Sequence, residues 1–244
     1  MENIYYTTYA THDEGTYKEL INNKYNIEIN NIGWNHKWKN FKQKFKNLYK
    51  YFLNKNDNDI IVFFDGFDTI INNYPEDLLN LFKSYDCKIL FSKEFDILNI
   101  KKKVFNTKLN YIANSGLYMG YVKELKILFK YILKKNGKDD QVLLNKYIHK
   151  FNFIKIDSKE LIFKNLNYYE RYLKKNFNSY FLQTPGVLTV NRINRAFIEY
   201  YIFFIKEGLI ILLISTYYLT KKKYNKCLFI FFILIINIIL QIKL

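Results

Sequence analysis

Two aspartates stand three residues apart in Asp65-Gly66-Phe67-Asp68, directly after the apolar run Ile60-Ile61-Val62-Phe63-Phe64. Two carboxylates at that spacing on a tight turn can share one hard divalent cation, and Gly66 lets the backbone bend between them. A cation held in this way keeps positions open for phosphate oxygens. A solvated turn that caps the next helix would carry the same residues. Asp139-Asp140-Gln141 opens a helix, where the dipole favours acids. One of the two aspartates is also suited to act as base toward an acceptor hydroxyl, or to steady a sugar through hydrogen bonds. Asn114-Ser115-Gly116 offers an amide, a hydroxyl and a close backbone approach, which suit a sugar-phosphate and also occur in ordinary turns.

Alternating strands and helices must position these groups. Ile4 to Tyr9 is β-branched and aromatic and reads as a strand, followed by a helix from Thr11 as cap through Asn22 and a second strand from Asn26 to Ile32. Between Lys37 and Leu53, Phe41, Phe45, Leu48, Tyr49 and Phe52 recur at helical spacing, giving an amphipathic helix with a basic outer face. Ile60 to Phe64 is apolar without alternation, the mark of a strand buried on both faces. Pro75-Glu76-Asp77 opens another helix, Lys88 to Ser92 repeats the buried-strand pattern, and Tyr111 to Tyr121 reads as a further strand system. Helices from Lys123 to Lys134 and from Lys138 to His149 follow. This order predicts an α/β domain with a mostly parallel sheet, and ligands of such sheets bind beyond the carboxyl ends of strands, where Asp65 falls.

With 244 residues, 50% hydrophobic and 19% aromatic, only two prolines and eight glycines, the chain is no disordered protein, and it is too short for two full enzyme domains. Lys and Arg exceed Asp and Glu by 38 − 22 = 16, which favours an anionic ligand or surface. The abundance of Lys, Asn, Ile, Tyr and Phe, all with AT-rich codons, accounts for the charge equally well. No nucleic-acid-binding signature accompanies it, so nucleic acid is not an expected partner. Cys87 and Cys227 are too far apart in sequence and setting to suggest a disulfide framework or metal cluster. The first residues lack the pattern of a secretory signal, which suggests a cytosolic start.

The composition changes after Pro185. Ala196 to Leu219 is almost wholly apolar apart from Glu199, Lys206 and Glu207, and Leu228 to Leu240 is apolar apart from Asn237, with Lys221-Lys222-Lys223 between them. Residues 196–244 are therefore expected to form a membrane-associated helical hairpin, spanning or interfacial, behind a domain of residues 1–195.

From Tyr6 to about Asn191 the chain resembles the glycosyltransferase domain of the procollagen lysyl hydroxylases and the related collagen galactosyl- and glucosyltransferases. The resemblance runs in order through Thr8-Tyr9-Ala10-Thr11, Ile32-Gly33 with Trp34, Gln43-Lys44, Val62 to Asp68, Ile89 to Glu94, Asn114 to Tyr121, Asp139-Asp140-Gln141 and Phe163 to Asn167. It implies a GT-A-like (Rossmann-like) fold and transfer of galactose or glucose from a UDP-sugar, with manganese or magnesium, to a protein hydroxylysine or a glycan. It implies Asp65 and Asp68 as metal ligands, Phe67 against the nucleotide, and Thr8 and Lys44 toward UDP. It sets Asn114, Ser115, Gly116 and Gln141 around the donor, and Asp139 and Asp140 on the sugar and acceptor side. Where the family has His-x-Asn late in the domain, this chain reads Thr189-Val190-Asn191, and a hydroxyl is a weaker ligand than imidazole. A membrane protein that keeps the fold without the chemistry is the alternative this departure motivates. A metal-dependent phosphohydrolase fits less well, because the Asp65 to Asp68 spacing is one residue too long for an Asp-x-Asp nucleophile motif.

Overall fold

The computed structural model describes residues 2–96, 102, 105–166, 170 and 176–183. They all belong to one compact unit, Met1–Val187. Its strands are β1 (Ile4–Tyr9), β2 (Ile29–Asn31), β3 (Ile60–Asp65), β4 (Thr69–Ile71), β5 (Ile89–Lys93), β6 (Ala113–Tyr121), β7 (Ile154–Asp157), β8 (Phe163–Asn165) and β9 (Phe181–Gln183). Its α-helices are α1 (Tyr17–Ile21), α2 (Phe41–Leu53), α3 (Leu78–Ser84), α4 (Val122–Leu133) and α5 (Asp140–Tyr147), the last running into a 3₁₀ turn, Ile148–Lys150.

Six strands form the central sheet in the order β2-β1-β3-β6-β5-β7. β1 runs parallel to β2 and β3, and β5 parallel to β7, while β6 is antiparallel to both β3 and β5. The sheet is thus mixed and mostly parallel, in a mixed α/β fold. Ile60 through Phe64 are all buried, as their unbroken apolar run requires of a strand covered on both faces. One cluster packs Phe45, Leu48 and Phe52 of α2 and Leu125, Phe129 and Ile132 of α4 on one face of the sheet. There the Phe45 and Phe129 rings stack at 4.4 Å. The other face is covered by Leu20, Leu78 and Phe82 of α1 and α3, together with Phe163 and Phe181. Replacing a ring such as Phe129 by Ala would cost about 3–5 kcal/mol.

A second sheet, β4-β9-β8, sits at the end of β3. β4 is antiparallel to β9, β8 is parallel to it, and Thr69, Gln183 and Asn165 pair in one row across the three strands.

Several elements are shorter than the periodicity predicts. Thr11 does not cap a helix: its hydroxyl meets His12 Nδ1 at 2.9 Å, His12 pairs with Glu14, and α1 starts only at Tyr17. β2 keeps three residues because only Ile29 to Asn31 have partners on β1. α2 starts at Phe41, where Asn40 accepts the Gln43 N–H at 3.1 Å. Within the Tyr111 to Tyr121 segment the strand is the nine residues Ala113–Tyr121, so Asn114-Ser115-Gly116 lies inside the sheet and not in a turn.

Burial pushes the Cys87 thiol up to about 11, which makes it a poor nucleophile. Among the described residues no helix is long and apolar enough to cross a membrane. The apolar stretches expected to form the hairpin, Thr189 and Cys227 all lie outside the described residues.

Candidate functional site

β3 delivers Asp65 at its carboxyl end, and the turn through Gly66, Phe67 and Asp68 carries the chain straight into β4. That turn is tight against β1: a Cβ on Gly66 would lie 2.6 Å from the Ala10 Cβ and 2.9 Å from Thr8 Oγ1. The buried Thr8 hydroxyl donates to the Phe64 carbonyl at 2.9 Å, fixing the two strand ends side by side. Phe67 is held by its backbone, whose N–H donates to Asp65 Oδ1 and whose carbonyl accepts from Thr16, while its ring packs 5.1 Å from that of His12. Thr8 and Phe67 therefore flank the aspartate pair, Thr8 fully buried with its hydroxyl engaged by the fold.

Behind Asp65 lies a buried cation. Lys44, on the inner face of α2, places Nζ 2.7 Å from Asp140 Oδ2 and 3.7 Å from Asp65 Oδ2. Burial works most strongly against its charge, but the carboxylates of Asp140 and Asp65, with a smaller contribution from Asp68, outweigh it. The Lys44 pKa is raised, and the ammonium persists throughout the physiological range. Tyr118 lines the same interior, and burial, followed by the Asp140 carboxylate, holds its phenol well above the ordinary range and neutral.

Asp139 and Asp140 are neighbours with different fates. Asp139 is the exposed N-cap of α5, its Oδ1 accepting the Val142 N–H at 2.8 Å, whereas Asp140 is buried and faces Lys44. The helix rotates by about 100° per residue, so one of two adjacent acids points outward when the other points in.

A second hub is Glu94, just past β5. Its Oε2 accepts from Asn114 Nδ2 at 2.9 Å, from Gln141 Nε2 at 3.1 Å and from Asn165 Nδ2 at 3.1 Å. Asn114 Oδ1 in turn accepts the Gly116 N–H at 2.6 Å. Gly116 is where the halves of the site meet: a Cβ there would lie 2.9 Å from Gln183 Nε2 and 3.1 Å from both Asn114 Oδ1 and the Asp65 Cβ. Gln183 Nε2 donates to Asp68 Oδ1 at 3.1 Å, tying the second sheet to the turn. Ser115, between Asn114 and Gly116, is buried on the opposite face of β6.

The fold thus gathers Asp65, Asp68, Lys44, Asn114, Gly116, Asp140 and Gln141, with Thr8 buried beneath the turn and Phe67 partly exposed on it, and turns Asp139 outward. Glu94 and Asn165 were visible in the sequence only as parts of longer motifs, and Gln183 carried no signal at all. Among the described residues no three His, Cys, Asp or Glu side chains gather as a ready metal cage. Asp65 and Asp140 nevertheless face the buried ammonium of Lys44, which also feels the charge of Asp68. Asp65 and Asp68, carboxylates on one turn, are the side chains here that could hold a hard divalent cation, its remaining ligands coming with a phosphorylated substrate.

Superposition on the galactosyltransferase LgtC, solved in complex with donor and acceptor sugar analogs, covers 75% of this chain and 87% of that one at 12% identity and a TM-score of 0.46. No curated protein matches the sequence. The family model described as the PLOD GT domain matches residues 1–207, and the chain belongs to that glycosyltransferase-domain family.

Proposed function

We propose that the protein is a metal-dependent glycosyltransferase that moves a hexose, galactose or glucose, from a UDP-sugar to an acceptor hydroxyl on protein hydroxylysine or a glycan. The observation that carries this reading is the convergence of Asp65 and Asp68 with the buried Lys44–Asp140 pair at one end of the sheet, in a chain of the PLOD GT domain family. Asp65 and Asp68 would hold manganese or magnesium, which when bound offsets negative charge on the departing UDP. Lys44 holds the buried Asp140 carboxylate at 2.7 Å and adds a fixed positive charge beside Asp65, favouring a diphosphate before any cation arrives. Asp140 is the group suited to orient an acceptor hydroxyl or a sugar, while Asp139 holds the helix that carries it. Phe67 offers a ring against the nucleotide, and Asn114, Gly116 and Gln141 shape the donor side. Residues 196–244 would attach this domain of residues 1–195 to a membrane, and nucleic acid is not a partner.

The test is UDP release by the full chain in detergent, with UDP-galactose and UDP-glucose, with and without manganese. Metal-dependent turnover that disappears in Asp65→Ala supports the proposal. Absence of both turnover and UDP binding in the folded protein overturns it. It would leave the second reading, a membrane protein that keeps the fold without the chemistry, which Thr189 at the family's His position favours.

A further inference from the structure

Gln183 is a buried amide with one end used and the other idle. Its side chain is nine-tenths buried, with the residue 7% exposed, and its Nε2 donates to Asp68 Oδ1 at 3.1 Å. That bond fixes the orientation of the amide, because a carboxylate only accepts and the amide oxygen would be repelled by it. Oε1 is left buried with no hydrogen-bond partner. A buried acceptor without a donor is costly and rare, and at a ligand site it marks where a ligand group belongs.

The position of this oxygen narrows the ligand group. Gln183 pairs with Thr69 on one side and Asn165 on the other, so it stands between the Asp68 turn and the Asn165 amide that reaches Glu94. On its third side is Gly116, where any side chain would collide with Nε2. The oxygen requires a donor. A diphosphate at neutral pH offers none, whereas a hexose presents several hydroxyls.

We infer that Gln183 is a specificity-determining residue: Nε2 is anchored on Asp68 so that Oε1 accepts a hydrogen bond from a hydroxyl of the donor hexose. The inference rests on the glycosyltransferase reading above and adds to it the group that distinguishes a sugar-bearing nucleotide from the bare nucleotide. Gly116 belongs to the same device, since it leaves the space that the amide occupies.

The experiment is calorimetry on the full chain in detergent, titrating UDP, UDP-galactose and UDP-glucose, each with manganese. The readout is the ratio of UDP-hexose to UDP affinity, because any disturbance passed on through Asp68 weakens both ligands alike and cancels. In Gln183→Met, which keeps the length and loses the acceptor, the ratio is expected to fall about tenfold for at least one of the two donors. If Gln183→Met fails to fold, Gln183→Asn, which withdraws the oxygen by one methylene, is expected to lower the ratio in the same way. An unchanged ratio in a folded variant that still binds UDP overturns the inference alone and assigns the oxygen to the cation or the nucleotide. Failure of the unmutated protein to bind UDP with manganese overturns the glycosyltransferase reading, and this inference with it.

Discussion

Lys44 Nζ lies 2.7 Å from Asp140 Oδ2, in a pair whose side chains are 5% and 4% exposed. The pair joins α2 to the first turn of α5 across the interior, and it holds in place an acid that solvent would otherwise have to stabilise. Two charges brought together out of water gain little over an apolar pair, but removing one strands the other.

Lys44→Met is therefore expected to destabilise the domain by about 3–5 kcal/mol in urea denaturation. Lys44→Met with Asp140→Leu should recover a large part of that loss, giving a coupling of at least about 1 kcal/mol in the double-mutant cycle. Additive losses would show that the pair is not energetically coupled. Neither single variant nor the double should transfer sugar.

Asp65→Ala and Asp68→Ala are expected to lower sugar transfer by at least about a hundredfold, the loss typical of removing a group that stabilises developing charge. Both residues are partly exposed, Asp65 at the end of β3 and Asp68 in the turn after it, so the thermal midpoint should move by only a few degrees. Full activity in either variant would refute the metal-binding role.

The two acids at the start of α5 should separate cleanly. Asp139→Ala removes an N-cap and is expected to cost about 1 kcal/mol while activity persists; Asp139→Asn should be nearly silent. Asp140→Asn is expected to lose activity. The opposite pattern would place the chemistry on Asp139.

Glu160 supplies a pH test. Burial alone would raise its pKa, but hydrogen bonds from Lys164 and Lys93 outweigh burial and lower it below the ordinary carboxylate value. A folded-state pKa below the unfolded one means stability that is present above about pH 4.3 and is lost as pH falls through the folded value. The stability of Glu160→Gln should fall less steeply between about pH 5 and 3. An identical slope would show that the pair forms without energetic effect.

If residues 196–244 attach the domain to a membrane, the full chain should float with phospholipid vesicles. Ile233→Lys with Ile236→Lys should reduce that fraction at least about tenfold, since each charge in the apolar layer is costly. Equal flotation would remove the hairpin from the proposal.

The amino-acid sequence by itself determined the strand that ends at Asp65, because five apolar residues, rich in β-branched and aromatic types and bounded by turn residues, are too short for a buried helix and suit a strand covered on both faces. It also determined the amphipathic α2, because a helix has a fixed period. The Asp65–Asp68 turn and the start of α5 were legible for the same reason: each depends on residues within one turn of the chain. Only the tertiary structure decided that Asp139 is a cap and Asp140 a buried partner of Lys44, since the choice depends on which side of α5 meets α2. It alone set Asn114 and Gly116 of the strand β6 beside Glu94, Asp65 and Gln183. It alone brought Glu94, Asn165 and Gln183 into the site, through bonds between residues 47 to 115 positions apart. Local periodicity carries no information about such pairings, which are set when two sheets pack at the end of β3 and bury amides that must then find partners.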